Sequence, residues 1–115
     1  MNDLSVIQKV YDLTKWYIPL VHRLPRTHKF GIGDRIQDNL YGLLEGLVVA
    51  RFSPARLEKL TELNASLDVL RFQSRLLKDF DLIDLRRYEY VSGKIDEIGA
   101  ELGGWIKQQK GNRAQ

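Results

Sequence analysis

Apolar side chains recur at intervals of three and four along most of the chain, the spacing of one helical face. A first segment carries Ile7, Tyr11, Thr14, Ile18 and Val21. A second carries Ile36, Leu40, Leu43, Leu47 and Ala50. A third carries Leu60, Leu63, Leu67, Leu70, Ser74 and Leu77, and a fourth Tyr88, Val91, Ile95, Ile98, Leu102 and Trp105. No stretch sustains strand alternation. Breaks fall at Leu24–Gly33, at Ser53-Pro54 and at Asp81–Asp84. Four helices of about twenty residues with short links predict an all-α, antiparallel, up-down-up-down four-helix bundle. One domain over residues 1–115 accounts for the pattern, without repeats or low-complexity segments.

The punctuation fits that plan. Ser53 is a good N-cap, and Pro54 then takes the first helical position, where a missing N–H costs little. Asp84 caps the last helix and favours its positive end. Pro19 sits inside the first pattern, which continues to Val21, so a bend is expected there rather than a break. Gly99 and Gly103 are one turn apart in the last helix and permit close helix approach. Gly103-Gly104 could instead fray the helix, but Trp105 and Ile106 continue the stripe.

The third segment has a second apolar group. On a wheel of ~100° per residue, Ala65, Val69, Phe72, Leu76 and Phe80 lie roughly opposite the core stripe. A helix of an isolated bundle needs one stripe only. The second therefore predicts a subunit interface, formed by Val69, Phe72, Leu76 and Phe80, in a cyclic oligomer. Arg71 and Arg75 fall in the wedge between the stripes with Asn64 and Asp68. Asp68 precedes Arg71 by three residues and Asp79 follows Arg75 by four, so each can pair on its own helix for roughly 0.2–0.5 kcal/mol. Arginine at both positions also suits bidentate phosphate recognition. The spacing leaves both readings open.

Composition narrows the class. The 115 residues are 43% hydrophobic and 29% charged, an ordinary globular balance. There is no cysteine, which excludes disulfides and thiolate metal sites. The start, "MNDLSVIQKVYD", is too charged for a signal peptide, and no apolar run approaches the ~18 residues of a membrane span. A soluble cytoplasmic protein without membrane contact is expected. The net charge is +3. The whole excess lies in "HRLPRTHKFGIGDR", where Arg23, Arg26, Lys29 and Arg35 stand against Asp34 alone. Lys107, Lys110 and Arg113 make the tail locally basic too.

Catalytic signals are missing. His22 and His28 are six apart, the wrong spacing for a shared helical metal site, and read as polar members of the basic link. The Glu-x-x-His pattern of di-iron bundles, a Ser/His/Asp set and a phosphate loop are absent; "GIGD" is too short for a cradle. Glu97 and Glu101 read as a solvated face. No enzyme, metal or cofactor is expected, and no aromatic stacking platform is evident.

Three stretches, "WYIPLVHRLPRTHKFGIGDRI", "LVVARFSPARLEKLTELNASLDVLRFQSRLLKDF" and "IDEIGAELGGWIKQ", resemble the four-helix-bundle superfamily that includes ribosomal intervening-sequence proteins. Within it the chain is similar to the accessory variability determinant (Avd) family of diversity-generating retroelements. The "LRF-x-x-RL" core at Leu70–Leu76 and "EIG-x-x-LGGWI" at Glu97–Ile106 carry most of the resemblance. Where the intervening-sequence branch has an "NIAEG"-like segment, this chain reads "YGLLEGLVVAR", which favours the Avd branch. The resemblance implies a non-catalytic partner of a retroelement reverse transcriptase. It further implies a homopentameric ring whose basic surface binds RNA and DNA while template-repeat RNA is copied mutagenically into cDNA. The matching basic positions are Arg26, Lys29, Arg71 and Arg75. With their neighbours, the candidate nucleic-acid-binding set is Arg23, Arg26, Lys29, Arg35, Arg71, Arg75 and Lys78. The alternative is a structural oligomeric bundle of intervening-sequence type whose basic face docks an acidic protein.

Overall fold

The structure, a computed structural model, describes residues 3–114, the side chains of 113 and 114 aside. Helix α1 spans Asp3–His22, and a three-residue turn leads to the short α2, Arg26–His28. One π-helical turn, Lys29–Gly33, then runs directly into α3, Asp34–Ala50. Two long helices follow, α4 (Arg56–Asp79) and α5 (Leu85–Ala114). No strand occurs among the described residues. Helix α1 packs on α3 and α5, α3 on α4, and α4 on α5, closing a bundle of four long helices measuring 51 × 23 × 19 Å. The start of α1 meets the end of α3 through the Asp3–Arg51 ion pair at 2.7 Å. Its last residue, His22, meets Gln37 near the start of α3 at 2.8 Å.

Three of the four expected stripes are the core. All the named residues of the second and third segments are buried, as are those of the fourth except Tyr88, which is half-buried. The stripe of α1 is displaced. Val6, Val10, Leu13, Thr14, Tyr17 and Val21 are buried, whereas Ile7 and Ile18 are half-buried and Tyr11 is 48% exposed. Helix α1 is apolar around much of its circumference, so periodicity admits either register. Packing decides between them. The Tyr17 ring is fully buried and its hydroxyl lies 2.8 Å from Ser74 Oγ of α4, so the pair satisfies two polar groups inside the core. Thr14 Oγ1 donates back to the Val10 carbonyl at 2.7 Å and so also stays satisfied.

The helix ends follow local chemistry. Asp84 Oδ1 accepts the Arg87 backbone N–H at 2.8 Å, the N-cap expected of it. Helix α4 ends in a Schellman motif. Leu82 N–H reaches the Leu77 carbonyl at 2.8 Å and Asp81 N–H the Lys78 carbonyl at 3.0 Å, with Asp81 left-handed at φ 59°. Ser53 does not cap α4. Its hydroxyl accepts the Ala55 N–H at 3.1 Å, a local turn, and the helix begins only at Arg56, so Pro54 is a turn residue. Arg56 instead caps the preceding helix, donating to the carbonyls of Ala50 at 3.0 Å and Arg51. Helix α1 continues through Pro19, and α5 continues through Gly103-Gly104 without fraying.

Burial pushes the Tyr17 phenol up to about 12, partly offset by its hydrogen bond with Ser74. Its folded proton affinity exceeds that of the unfolded chain. The stabilisation is therefore intact below pH 10 and lost as pH rises from 10.0 towards about 12. Ser74→Ala should cost about 1–3 kcal/mol in urea unfolding, because it leaves the buried hydroxyl alone. Adding Tyr17→Phe should recover part of that loss. Additive losses in the double variant would contradict the pairing.

Candidate nucleic-acid interface

The basic stretch is built by the exit of α1. Arg23 N–H bonds to the Leu20 carbonyl and Leu24 N–H to that of Val21, tightening the last turn. Leu24 is buried and pins the turn to the core. Pro25 has its φ preset at −53°, and its carbonyl accepts the N–H groups of both His28 and Lys29 at 2.8 Å. The expected break at Leu24–Gly33 is thus helical from Arg26 onward. Its glycines read as a break, but Gly33 is present for space. A Cβ there would stand 3.3 Å from both the His28 carbonyl oxygen and Val21 Cγ1. The π turn adds a residue to the helical path, a distortion often found at functional sites. The His28 ring stacks on Phe80, centroids 5.6 Å apart, which ties the stretch to the end of α4.

This arrangement holds four cations outward. Arg23, Arg26 and Arg35 are exposed and Lys29 is half-buried, and no carboxylate lies within ion-pair distance of any of them among the described residues. Arg26 and Lys29 approach the Phe30 ring at 5.9 and 5.6 Å from its centroid. Phe30 itself is 62% exposed. Sequence reasoning passed over this ring, and the signal for it was its place between Lys29 and Gly31 in "HKFGIG".

The cations of α4 are placed differently. Arg71 pairs with Asp96 across on α5 and with Asp68 at 3.6 Å on its own helix. Arg75 pairs with Asp79 at 3.8 Å. Lys78 lies 4.0 Å from Asp79 and over the Tyr88 ring at 5.6 Å. Both arginines therefore occupy the ion pairs that their spacing allowed, and Arg71 adds one that spacing could not reveal. Gly99 makes room for it: a Cβ there would stand 2.7 Å from Arg71 Nη2. Gly103 has open space at the same position, so it does not serve close approach. The closest approach is instead at Gly46, where a Cβ would meet Leu63 Cδ2 at 2.4 Å. Val69, Phe72, Leu76 and Phe80 are all exposed along α4. Val48, Val49 and Phe52, which the sequence reading did not single out, are exposed towards the end of α3 and just beyond it.

Glu97 and Glu101 on α5 are held in ion pairs. Glu101 lies 2.9 Å from Lys9, and Glu97 lies 3.8 Å from Lys94. Burial raises the Glu101 carboxyl, but hydrogen bonds from Lys9 and Ser5 outweigh it and hold the group below its ordinary value. No cluster of three or more metal-ligating side chains occurs among the described residues, and no helix there is long and apolar enough to cross a membrane. The Arg113 side chain lies outside the described residues.

A family model described as bAvd-like matches residues 4–109. A comparison with curated proteins finds no match.

The seat of Arg71 on Gly99 is testable by a double-mutant cycle. Asp96→Ala should cost up to about 1 kcal/mol in the wild-type background. In Gly99→Ala, where the guanidinium is displaced, the same change should cost almost nothing. Equal costs in both backgrounds would show that Gly99 does not position the pair.

Proposed function

The chain belongs to the bAvd-like family, and on that premise we propose that it is a non-catalytic accessory subunit of a diversity-generating retroelement reverse transcriptase. In this reading it acts in the cytoplasm, binding template-repeat RNA and cDNA during mutagenic copying. The observation that carries the reading is the quartet Arg23, Arg26, Lys29 and Arg35: exposed or half-buried cations in one segment, with no carboxylate within ion-pair distance among the described residues. Cations already paired gain little from a phosphate, whereas unpaired ones release counterions when they meet one. Arg71, Arg75 and Lys78 join the surface by exchanging a carboxylate for a phosphate, a small cost for exposed pairs.

The helices run up-down-up-down, each antiparallel to the next, and the bundles assemble into a ring, a homopentamer. Val69, Phe72, Leu76 and Phe80 form the junction between subunits. They supply a second apolar stripe that the core of the bundle leaves uncovered. A ring repeats the basic quartet around its circumference, so one long strand can engage several copies at once.

Two measurements test this reading. Binding of RNA or DNA should weaken steeply with salt and vary little with sequence, because phosphates and not base edges set the register. Each of Arg23→Ala, Arg26→Ala, Lys29→Ala and Arg35→Ala removes one phosphate partner and should lower the slope of log K against log salt by roughly 0.7–0.9. Unchanged binding in the fourfold variant would remove the reading and leave docking of an acidic protein in its place. Independently, Phe72→Glu should dissociate the oligomer in light scattering while the helical circular dichroism survives. A wild-type monomer at micromolar concentration would contradict the ring.

A further inference from the structure

A single exposed phenylalanine carries no message by itself, since isolated apolar residues are common on surfaces. Phe30 differs in its surroundings. It sits within the π turn, is 62% exposed, and takes no part in the core cluster. Among the described residues it is the one ring approached by two cations, Arg26 and Lys29. At 5.9 and 5.6 Å these lie near the outer limit of a cation–π interaction, so neither seals the ring. Phe52, another exposed ring, is served differently. Arg51 approaches it at 5.4 Å, but that arginine is already paired with Asp3. His28, the neighbouring aromatic of the stretch, is stacked on Phe80.

We infer that Phe30 is a base-stacking platform, so that this end of the bundle binds single-stranded nucleic acid through one unpaired base as well as through phosphates. The inference rests on the nucleic-acid reading above and deepens it. An unstacked base presents a flat apolar face to the exposed ring, and stacking of this kind tolerates any base. The same nucleotide carries its phosphate one sugar away. A base on Phe30 therefore brings that phosphate towards Arg26 and Lys29, the two cations beside the ring. Gly31 follows the ring directly, and apart from its chain neighbours nothing lies within 4 Å of where its Cβ would be, so that side of the turn is open. A duplex keeps its bases stacked on one another and offers this ring nothing beyond its backbone.

The test uses the full chain and three fluorescein-labelled probes: a mixed-sequence single strand, its blunt duplex, and an abasic strand of equal length. Anisotropy titrations are run at fixed salt on the wild type, Phe30→Ala and Phe30→Trp. The wild type should bind the single strand more tightly than the abasic strand. Phe30→Ala should weaken single-strand binding roughly 5- to 150-fold, the range for removal of one stack, and leave the abasic strand and duplex unchanged. Phe30→Trp should restore it. Equal wild-type affinity for the single and abasic strands, with steep salt dependence, would overturn the platform and leave the phosphate reading standing. Equal losses on all three probes in Phe30→Ala would also overturn it, since the ring would then act on the fold. Binding to none of the probes would overturn both.

Discussion

The buried seam of α4 is the constraint on which the other elements depend. Leu60, Leu63, Leu67, Leu70 and Leu77 line it, with Ser74 as its one polar member. Removing a leucine of such a seam costs roughly 2–5 kcal/mol. Helix α3 closes on one side, close enough that a Cβ on Gly46 would force the Leu63 side chain to shift. Helix α5 closes on the other. Ser74 then specifies the rotation of α1, because Tyr17 can be buried only where its hydroxyl finds a partner. A single apolar face thus positions three neighbours, and it does so without using the rest of the α4 surface.

That remaining surface carries paired cations and exposed apolar side chains. On the flank towards α5, Arg71 is absorbed into pairs with Asp96 and Asp68. Away from the core, Phe72, Leu76 and Phe80 stay uncovered. The final turn contributes Phe80 to a stack with His28 and so holds the basic stretch in place. Charge is therefore sorted by position. Many cations along the helices pair with carboxylates one turn away or across a groove, whereas among the described residues no carboxylate lies within ion-pair distance of those in the stretch from Arg23 to Arg35, although Arg23 shares a cleft with Asp81 and Asp84. The sorting follows from geometry. Helix faces repeat every three or four residues and bring opposite charges together, whereas within this stretch Asp34 is the one carboxylate.

Much of this architecture was legible in the sequence because the seams of α3 and α4 repeat leucine at helical spacing, which marks one face of each as core. Helix α1 was ambiguous for the opposite reason: Val6 and Ile7, Val10 and Tyr11, and Tyr17 and Ile18 offer two adjacent stripes, and the choice is made by a hydroxyl 57 residues distant. The stretch Arg26–Gly33 was hidden by its two glycines and the preceding proline, which locally mark a loop but here accompany a π turn. The Arg71–Asp96 pair spans two helices, so spacing along one of them could not disclose it. The cations of the candidate surface were visible as a run of charge. Their lack of partners, and the open ring among them, needed the fold.

The central claim is that polyanion binding is carried chiefly by the stretch from Arg23 to Arg35, with the paired cations of α4 joining it second. Photo-cross-linking of thiouridine-labelled RNA to the full chain, followed by mass spectrometric mapping of the adducts, addresses it directly. The account predicts adducts centred on the peptide that contains Arg26, Lys29 and Phe30. Adducts confined to the α4 segment around Arg71 and Arg75, with none on that peptide, would contradict it.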